Sequence, residues 1–452
     1  MYRIMKFKTL IIVAVAAFGL TACSDAWLEE KKLDPNRPSE VSMQVLLPAA
    51  QASTGMNHGD VLPRLTGIFM QQMTGTDRQS LAHNRYAQIG EGDFNTPWGN
   101  AYAGGLYDLK LIMDLADASG ATAYGGIAKI MTAMELGLLT DHFGDIPYDE
   151  AFTGADNLKP AFETQEDIYT TIFTLLADGK TDLAAPSSVS PGGDDLIHGG
   201  DLAAWMATAD ALIARNLNHL SKTSQYDGAA VIAACDVALT AGAYATIGYE
   251  SALNQNPWYQ FTVIDRAGYI TQYGYMYDSL MLPSSDPRVD FYRSADSLEL
   301  PAYGSATSAL PLVTPFELYF IKAEAQMVAN DAAGARTSLE DAIESHMTWL
   351  GVDAADIATY VAALPATTDL ELIMNEKYVA MFTSTESWTD WRRTGYPSIS
   401  APAGANLSDI PRRMPYPEGE YLYNADNVPM PLTADPDDKF GVTTTYRLWW
   451  DS

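Results

Sequence analysis

The sequence predicts a mostly α-helical protein, in which helical hairpins form a scaffold with large loop-rich insertions, in a single globular unit. Three observations carry that reading. Apolar residues recur at helical spacing along successive stretches. Residues 314–349 show start signals and a break between two helices. Long segments rich in Gly, Pro, Ser, Asn and Tyr carry no such period.

The helices come first. Leu106, Leu109, Ile112, Met113 and Ala116 fall on one helical face, as do Ile127, Ile130, Met131, Met134 and Leu138. Ile168, Ile172, Leu175, Leu176 and Leu183 mark a third helix. Leu202, Trp205, Met206, Ala209, Leu212, Ile213 and Leu217 mark a fourth. Residues 101–140 and 165–220 therefore read as two helix pairs. In the clearest unit, Thr314-Pro315-Phe316-Glu317 supplies a cap, a Pro at the first helical position and an acid in the first turn. That helix is expected to reach Asn330. Asp331 then caps a second, ending near Gly351. Ala323, Ala335, Leu339 and Ala342 fall at the spacings of the packing positions of a tetratricopeptide repeat, although Lys322 and Gln326 stand where the repeat prefers apolar residues. A stacked helical array is the expected architecture.

The irregular segments are 184–200, 245–312 and 394–446. Long loops in a compact domain usually carry function. The expected organisation is a leader over 1–22, a tether over 23–40 and one helical binding domain over 41–452. The tether is polar, with Lys31, Lys32, Asp34, Pro35, Asn36 and Pro38.

The leader has Arg3, Lys6 and Lys8, no acid, and an apolar run from Leu10 to Leu20. At about 1.5 Å per residue the run reaches only about half of a bilayer core of about 30 Å, so it reads as a signal peptide and not a span. It ends in Leu20-Thr21-Ala22-Cys23, a bacterial lipobox that would leave Cys23 as the lipidated N-terminus. The alternative is an ordinary secretory signal with an incidental Cys. Two or more acyl chains, at about 0.8 kcal/mol per buried methylene, make a firm anchor. No later stretch reaches the length of an apolar span. The second thiol, Cys235, lies in an apolar helical stretch and reads as a small buried hydrophobe.

Composition narrows the function. The chain has 452 residues, 57 Asp plus Glu against 27 Lys plus Arg, and a formal charge of -30. Such a field repels a phosphate backbone, which excludes nucleic acid as a partner. The six His form no zinc-binding helix pair, and there is no Cys cluster, Gly-rich phosphate loop or Gly-x-Ser-x-Gly elbow. No cofactor or metal is therefore expected. A glycosidase pair of acids stays open, because so many carboxylates could place two at a suitable separation.

What the chain does offer is aromatic. Asn95-Thr96-Pro97-Trp98-Gly99-Asn100-Ala101-Tyr102, Asn254-Gln255-Asn256-Pro257-Trp258-Tyr259-Gln260-Phe261 and Tyr269-Ile270-Thr271-Gln272-Tyr273-Gly274-Tyr275-Met276-Tyr277 are three such clusters. Flat rings stack on the C–H faces of sugars, and neighbouring Asn, Gln, Asp and Arg side chains match hydroxyls. The alternative for any one ring is that it pins its loop to the helices.

Four further segments stand out: Leu139-Thr140-Asp141-His142-Phe143-Gly144-Asp145-Ile146-Pro147-Tyr148; Pro315 to Gln326, with Ala323-Glu324-Ala325; Asn375-Glu376-Lys377-Tyr378 through Trp388 to Pro397; and Pro411-Arg412-Arg413-Met414-Pro415-Tyr416-Pro417 with Asn424. Together they resemble the SusD/RagB family of nutrient-binding outer-membrane lipoproteins, in its SusD-like branch, starch-binding associating with outer membrane. The first resembles the family's Gly-Asp-Ile-Pro-Tyr hallmark, the next two its second and third hallmarks, and the last the segment after them. Met381-Phe382-Thr383-Ser384-Thr385 departs from the usual charged or Gly-containing turn. Glu324 and Arg392-Arg393 lie in apolar helical segments, so an internal ion pair is expected of them rather than a ligand contact.

The resemblance implies four tetratricopeptide-type helix pairs and a loop-rich face that binds a glycan or, in some members, a peptide. It implies a lipid-anchored, cell-surface protein of a Gram-negative outer membrane, without catalysis, forming a lid on a SusC-like TonB-dependent transporter. The membrane is engaged through the N-terminal lipid only. The competing functions are a surface-anchored glycan hydrolase and a repeat scaffold binding only protein. The family places its ligand among loops between the first helices and the irregular centre. Here that implies Trp98 as stacking platform, Asp77, Arg78 and Asn100 as polar partners, and Trp258, Tyr259, Tyr273 and Tyr275 as a second wall.

Overall fold

The computed structural model describes residues 41–87, 89–292, 303–429 and 446–452. The leader, the tether and Cys23 lie outside the described residues. Twelve main helices among the described residues set the architecture: α1 (Met43–Gly59), α2 (Val61–Phe69), α3 (Tyr107–Ser119), α4 (Thr122–Phe143), α5 (Gln165–Ala184), α6 (Leu202–His219), α7 (Gly228–Thr240), α8 (Pro315–Val328), α9 (Ala332–Leu350), α10 (Ala354–Ala363), α11 (Leu370–Ala380) and α12 (Glu386–Thr394). From α3 to α9 each helix packs on the next, a continuous stack.

The capping signals work as the sequence predicts. The Thr314 hydroxyl accepts from Glu317 N at 3.3 Å, and Asp331 accepts from Gly334 N at 2.9 Å. Asn330 turns the chain between α8 and α9 at φ 63°, and Gly351 ends α9 at φ 89°. Ala323, Ala335, Leu339 and Ala342 are all fully buried. The two polar departures from the repeat bridge helices. Lys322 reaches Asp236 on α7 at 2.6 Å, and Gln326 accepts from Ser338 on α9 at 2.7 Å.

α4 is the central helix. Every residue from 130 to 143 is buried, and a helix covered on all sides belongs inside a core. It meets α5 closely because both carry glycine. A Cβ on Gly126 would stand 2.8 Å from the Gly179 carbonyl oxygen. Cys235 on α7 is fully buried, and burial pushes its thiol up to about 12, an inert packing residue.

Helices α1, α2 and α10 have no counterpart in the sequence reading. α1 mixes Ala, Ser, Thr, Gly and an internal Pro48 with few large apolar residues, which blurs its period. Two short antiparallel sheets tie the irregular segments to this frame. β1 (Thr74–Gly75) pairs with β3 (Ile270–Thr271), with Thr74 opposite Thr271. β2 (Ala245–Ile247) pairs with β4 (Leu310–Val313).

Candidate functional site

The hallmark segments converge on the interior. Gly144 ends α4 at φ 85°, and Ile146 then pairs with Glu163 in a single bridge. The Asp145 carboxylate accepts from Gln165 N at 2.8 Å, at the positive end of α5. The segment 411–416 wraps this turn. Met414 N donates to His142 O at 2.9 Å, Arg413 Nε to Phe143 O at 2.7 Å, and the Tyr416 hydroxyl to Asp145 O at 2.6 Å.

The expected internal ion pair is present for one arginine and absent for the other. Arg393 forms a two-armed pair with Glu324, at 2.7 and 3.0 Å, and also meets Asp390. Burial alone would raise the Glu324 carboxyl, but the Arg393 guanidinium outweighs it and holds it well below the usual range. Arg392 has no carboxylate partner among the described residues. It donates to the carbonyls of Asp141 and Arg412 at 2.7 and 3.1 Å and lies over the Trp388 ring at 3.5 Å. Carbonyl dipoles and an indole face do for it what a carboxylate does for Arg393.

A second ionic group lies nearby. Arg215 on α6 pairs with Glu317 on α8 through two 2.6 Å bonds. His219 stands between Asp141, 3.1 Å from Nδ1, and Glu386, 2.8 Å from Nε2. Burial would lower this imidazolium, but Glu386 and Asp141 outweigh burial and raise it to about 9. Asp141, His219 and Glu386 are close enough together to hold a metal ion. However, the two ring nitrogens face opposite carboxylates, so the protonated imidazole itself neutralises them. The lone pairs do not converge on one point. Asp141 also accepts from the Tyr169 hydroxyl at 2.6 Å and Trp450 Nε1 at 2.9 Å. A cavity of about 60 Å³ beside this group has room for about two waters, not a sugar.

The expected ligand residues divide into two places. Trp98 is 7% exposed and sits inside an aromatic cluster. Tyr102 lies 4.8 Å away, Phe143 and Tyr416 meet it edge-on, and Phe162 is stacked at 6.4 Å. A stacking platform needs a free face, and these protein rings occupy the indole. Asn100, half-buried beside it, offers its carbonyl to Ser53 at 2.8 Å on α1. Trp258 is also buried, at the start of a short helix (Pro257–Tyr259) capped by Asn256, which accepts from Trp258 N at 2.8 Å. These two indoles pin their loops to the frame.

Four of the others, Asp77, Arg78, Tyr273 and Tyr275, lie on two segments that a short sheet joins. β1 and β3 bring the Asp77–Arg78 turn against the tyrosine loop. Thr76 N donates to Tyr269 O at 2.8 Å and its hydroxyl to Gly268 O at 2.7 Å. At the other end, Thr74 donates to the Tyr273 carbonyl. Asp77 and Arg78 are exposed, Tyr273 is 48% exposed, and Tyr259 and Tyr275 are half-buried. Burial and then the Glu371 carboxylate raise the Tyr275 phenol. Asp77 caps the helix Arg78–Asn84 by accepting from Arg78 N, and Arg78 holds φ 42°. A non-glycine residue there is an outlier of the kind that collects at ligand contacts. Tyr269 and Arg266 complete the patch, with the guanidinium 5.9 Å from the ring. Sequence reasoning did not select these two. Their only sequence cue is the aromatic-rich loop, and strand pairing brings Tyr269 against Thr76.

No described helix is long and apolar enough to cross a membrane. A family model described as "Starch-binding associating with outer membrane", SusD-like, matches residues 35–417. No curated protein matches the chain. Among solved structures, a SusD/RagB family protein of Bacteroides thetaiotaomicron is similar at 21% identity and a TM-score of 0.75, covering 91% of this chain and 99% of that one. A chitin-binding SusD homolog of Flavobacterium johnsoniae is similar at 19% identity and a TM-score of 0.71, covering 90% and 98%. A SusD homolog of Bacteroides fragilis gives 19% identity and a TM-score of 0.70, covering 90% and 100%. These likenesses concern the fold. With the hallmark segments locked together as described, and the family model spanning most of its length, the chain belongs to the SusD-like family of starch-binding proteins that associate with the outer membrane.

Proposed function

We propose that this protein is a non-catalytic, cell-surface glycan receptor that delivers its ligand to a SusC-like TonB-dependent transporter. Lipid on Cys23 holds it to the outer membrane. One observation supports the assignment of the binding face: the β1–β3 ladder joins the chain just before exposed Asp77 and Arg78 to the loop that carries Tyr269, Tyr273 and Tyr275. Partly exposed rings beside fixed charged and polar groups suit a sugar's C–H face and its hydroxyls. The family's description and the chitin-binding neighbour favour a glycan over a peptide. The acidic net charge suits a solvated surface receptor for a neutral ligand.

The test is titration calorimetry of the full mature chain in detergent with starch- and chitin-derived oligosaccharides. Arg78→Ala and Tyr273→Ala are expected to weaken binding by about tenfold each, since loss of a stacked ring costs about 1–3 kcal/mol in comparable open sites. Unchanged affinity in both would place the ligand elsewhere. Release of reducing ends from either oligosaccharide would replace the receptor with a hydrolase.

A further inference from the structure

Leu158, Leu422 and Tyr423 are 76%, 65% and 75% exposed, three of the four most exposed large apolar side chains among the described residues. They stand on two segments that are distant in sequence and bonded in space. The loop 148–160 carries Leu158, and the short helix Glu418–Tyr423 carries the other two. Asn424, which directly follows Tyr423, is buried and donates to Pro160 O at 2.9 Å. Asn427 donates to Lys159 O at 2.9 Å, and Lys159 Nζ meets Asp426 at 3.2 Å. The start of the helix is tied as well, with Gly419 N donating to Asn95 Oδ1 at 3.3 Å. The loop closes on itself, since Glu150 accepts from Asn157 Nδ2 at 3.1 Å and from Ala161 N at 2.9 Å. All three apolar side chains therefore lie within two residues of a bond that joins the segments. Single apolar residues scattered over a surface are ordinary, but several on one fixed frame mark an interaction site.

We infer that this surface docks a protein partner, through a segment of the partner in which lysines and arginines flank aliphatic or aromatic side chains. Charge selects the partner. The segments 148–160 and 418–427 hold six acids, Asp149, Glu150, Asp156, Glu418, Glu420 and Asp426, against Lys159 alone, and Lys159 is already paired. All of these acids except half-buried Glu420 are exposed. Such a rim attracts a basic contact segment, and it repels the same face of a second copy, an anionic lipid headgroup or a nucleic acid. Apolar side chains within a charged rim are the anatomy of a protein interface. A leucine offers a sugar neither a flat ring face nor a hydroxyl partner, so Leu158 and Leu422 favour a protein over a glycan. The bonds between the two segments fix the surface before the partner arrives, which lowers the ordering cost of docking. None of the residues of the tyrosine face takes part, so the inference is independent of the ligand assignment.

The test is photo-cross-linking of the full mature chain in intact cells, with Tyr423→p-benzoylphenylalanine as the probe and sequencing of the cross-linked peptide by mass spectrometry. The expected product joins position 423 to a second protein, at a segment with lysine and arginine beside aliphatic or aromatic residues. Leu158→Ser together with Leu422→Ser is expected to lower its yield by about tenfold. Both side chains are exposed, so the fold is expected to stand, with an unchanged urea midpoint. Leu253→p-benzoylphenylalanine, at an exposed apolar position outside these two segments, is expected to give no such product. No protein product, a product only within this chain or with a second copy of it, or an acidic contact segment would overturn the inference. So would a yield that ignores the two serines, or an equal product from position 253. Oligosaccharide titrated into the double serine variant is expected to bind with parent affinity. A loss there would make the surface part of the ligand site and overturn its assignment to a protein.

Discussion

The hallmark interior and the tyrosine face treat charge and aromatic surface in opposite ways. In the interior, Arg393, Glu324, Asp390, Glu317, His219 and Glu386 are buried and each is paired. Their positions are dictated by one another. On the face, Arg78 and Asp77 are exposed and 3.9 Å apart, and half-exposed Tyr273 meets the Tyr277 ring edge-on at 6.2 Å. A buried charge without its partner is costly, whereas an exposed one is solvated by water. The interior therefore admits few alternatives, and its residues are the ones by which the family is recognised. The face is open to substitution without unfolding the frame.

Substitutions can break this contrast. The largest effect is expected of Arg393→Met, which leaves Glu324 and Asp390 buried without their guanidinium. Urea denaturation should show a loss of about 3–5 kcal/mol. An unchanged midpoint would mean that the interior charges are not what distinguishes the two regions. Trp98→Ala should behave as an interior change as well, costing about 3–5 kcal/mol of stability. Its folded fraction should bind oligosaccharide with parent affinity. A variant of full stability and weakened binding would return Trp98 to the ligand face.

The third test is pH. His219 is raised to about 9, so its contribution is complete below an unfolded value of about 6.5 and is lost as pH rises through about 9, about 3 kcal/mol in all. His58 and His142 behave in the opposite sense. Burial first, then nearby arginines, lower them to about 3 and about 4, so stability falls as pH drops below about 6.5. The urea midpoint should peak near neutrality, and His219→Gln should flatten the alkaline side only. A wild-type midpoint constant from pH 7 to 9 would remove the ion triad from the account. The smallest stability effect belongs to Tyr273→Ala, within about 0.5 kcal/mol, because the ring is half exposed. A larger loss, measured by the same urea curves, would make Tyr273 a packing residue.

Much of this was legible beforehand. The α8–α9 hairpin, its caps and its small buried alanines follow from local rules: a cap, a Pro at the first turn, a left-handed turn, a period of 3.6. The Arg393–Glu324 pair was legible because charges inside apolar helices need partners. Arg392 was not, since nothing local tells a carboxylate partner from carbonyls and an indole. α1 was missed where small residues weaken the period. Trp98 and Tyr273 both stood in Gly-containing aromatic stretches, and nothing in either stretch distinguishes the ring that is covered from the one that is not.

The sequence by itself determined the helical scaffold, the repeat-like hairpin and the family. These depend on short-range periodicity and on motifs whose spacing survives in one dimension. Only the tertiary structure decided which aromatic rings face water, which arginine has a carboxylate, and that Asp77–Arg78 lies beside a tyrosine loop nearly two hundred positions away. Burial and strand pairing are properties of chain segments meeting in space. A ring's free face is whatever its neighbours leave uncovered, and those neighbours come from distant parts of the chain.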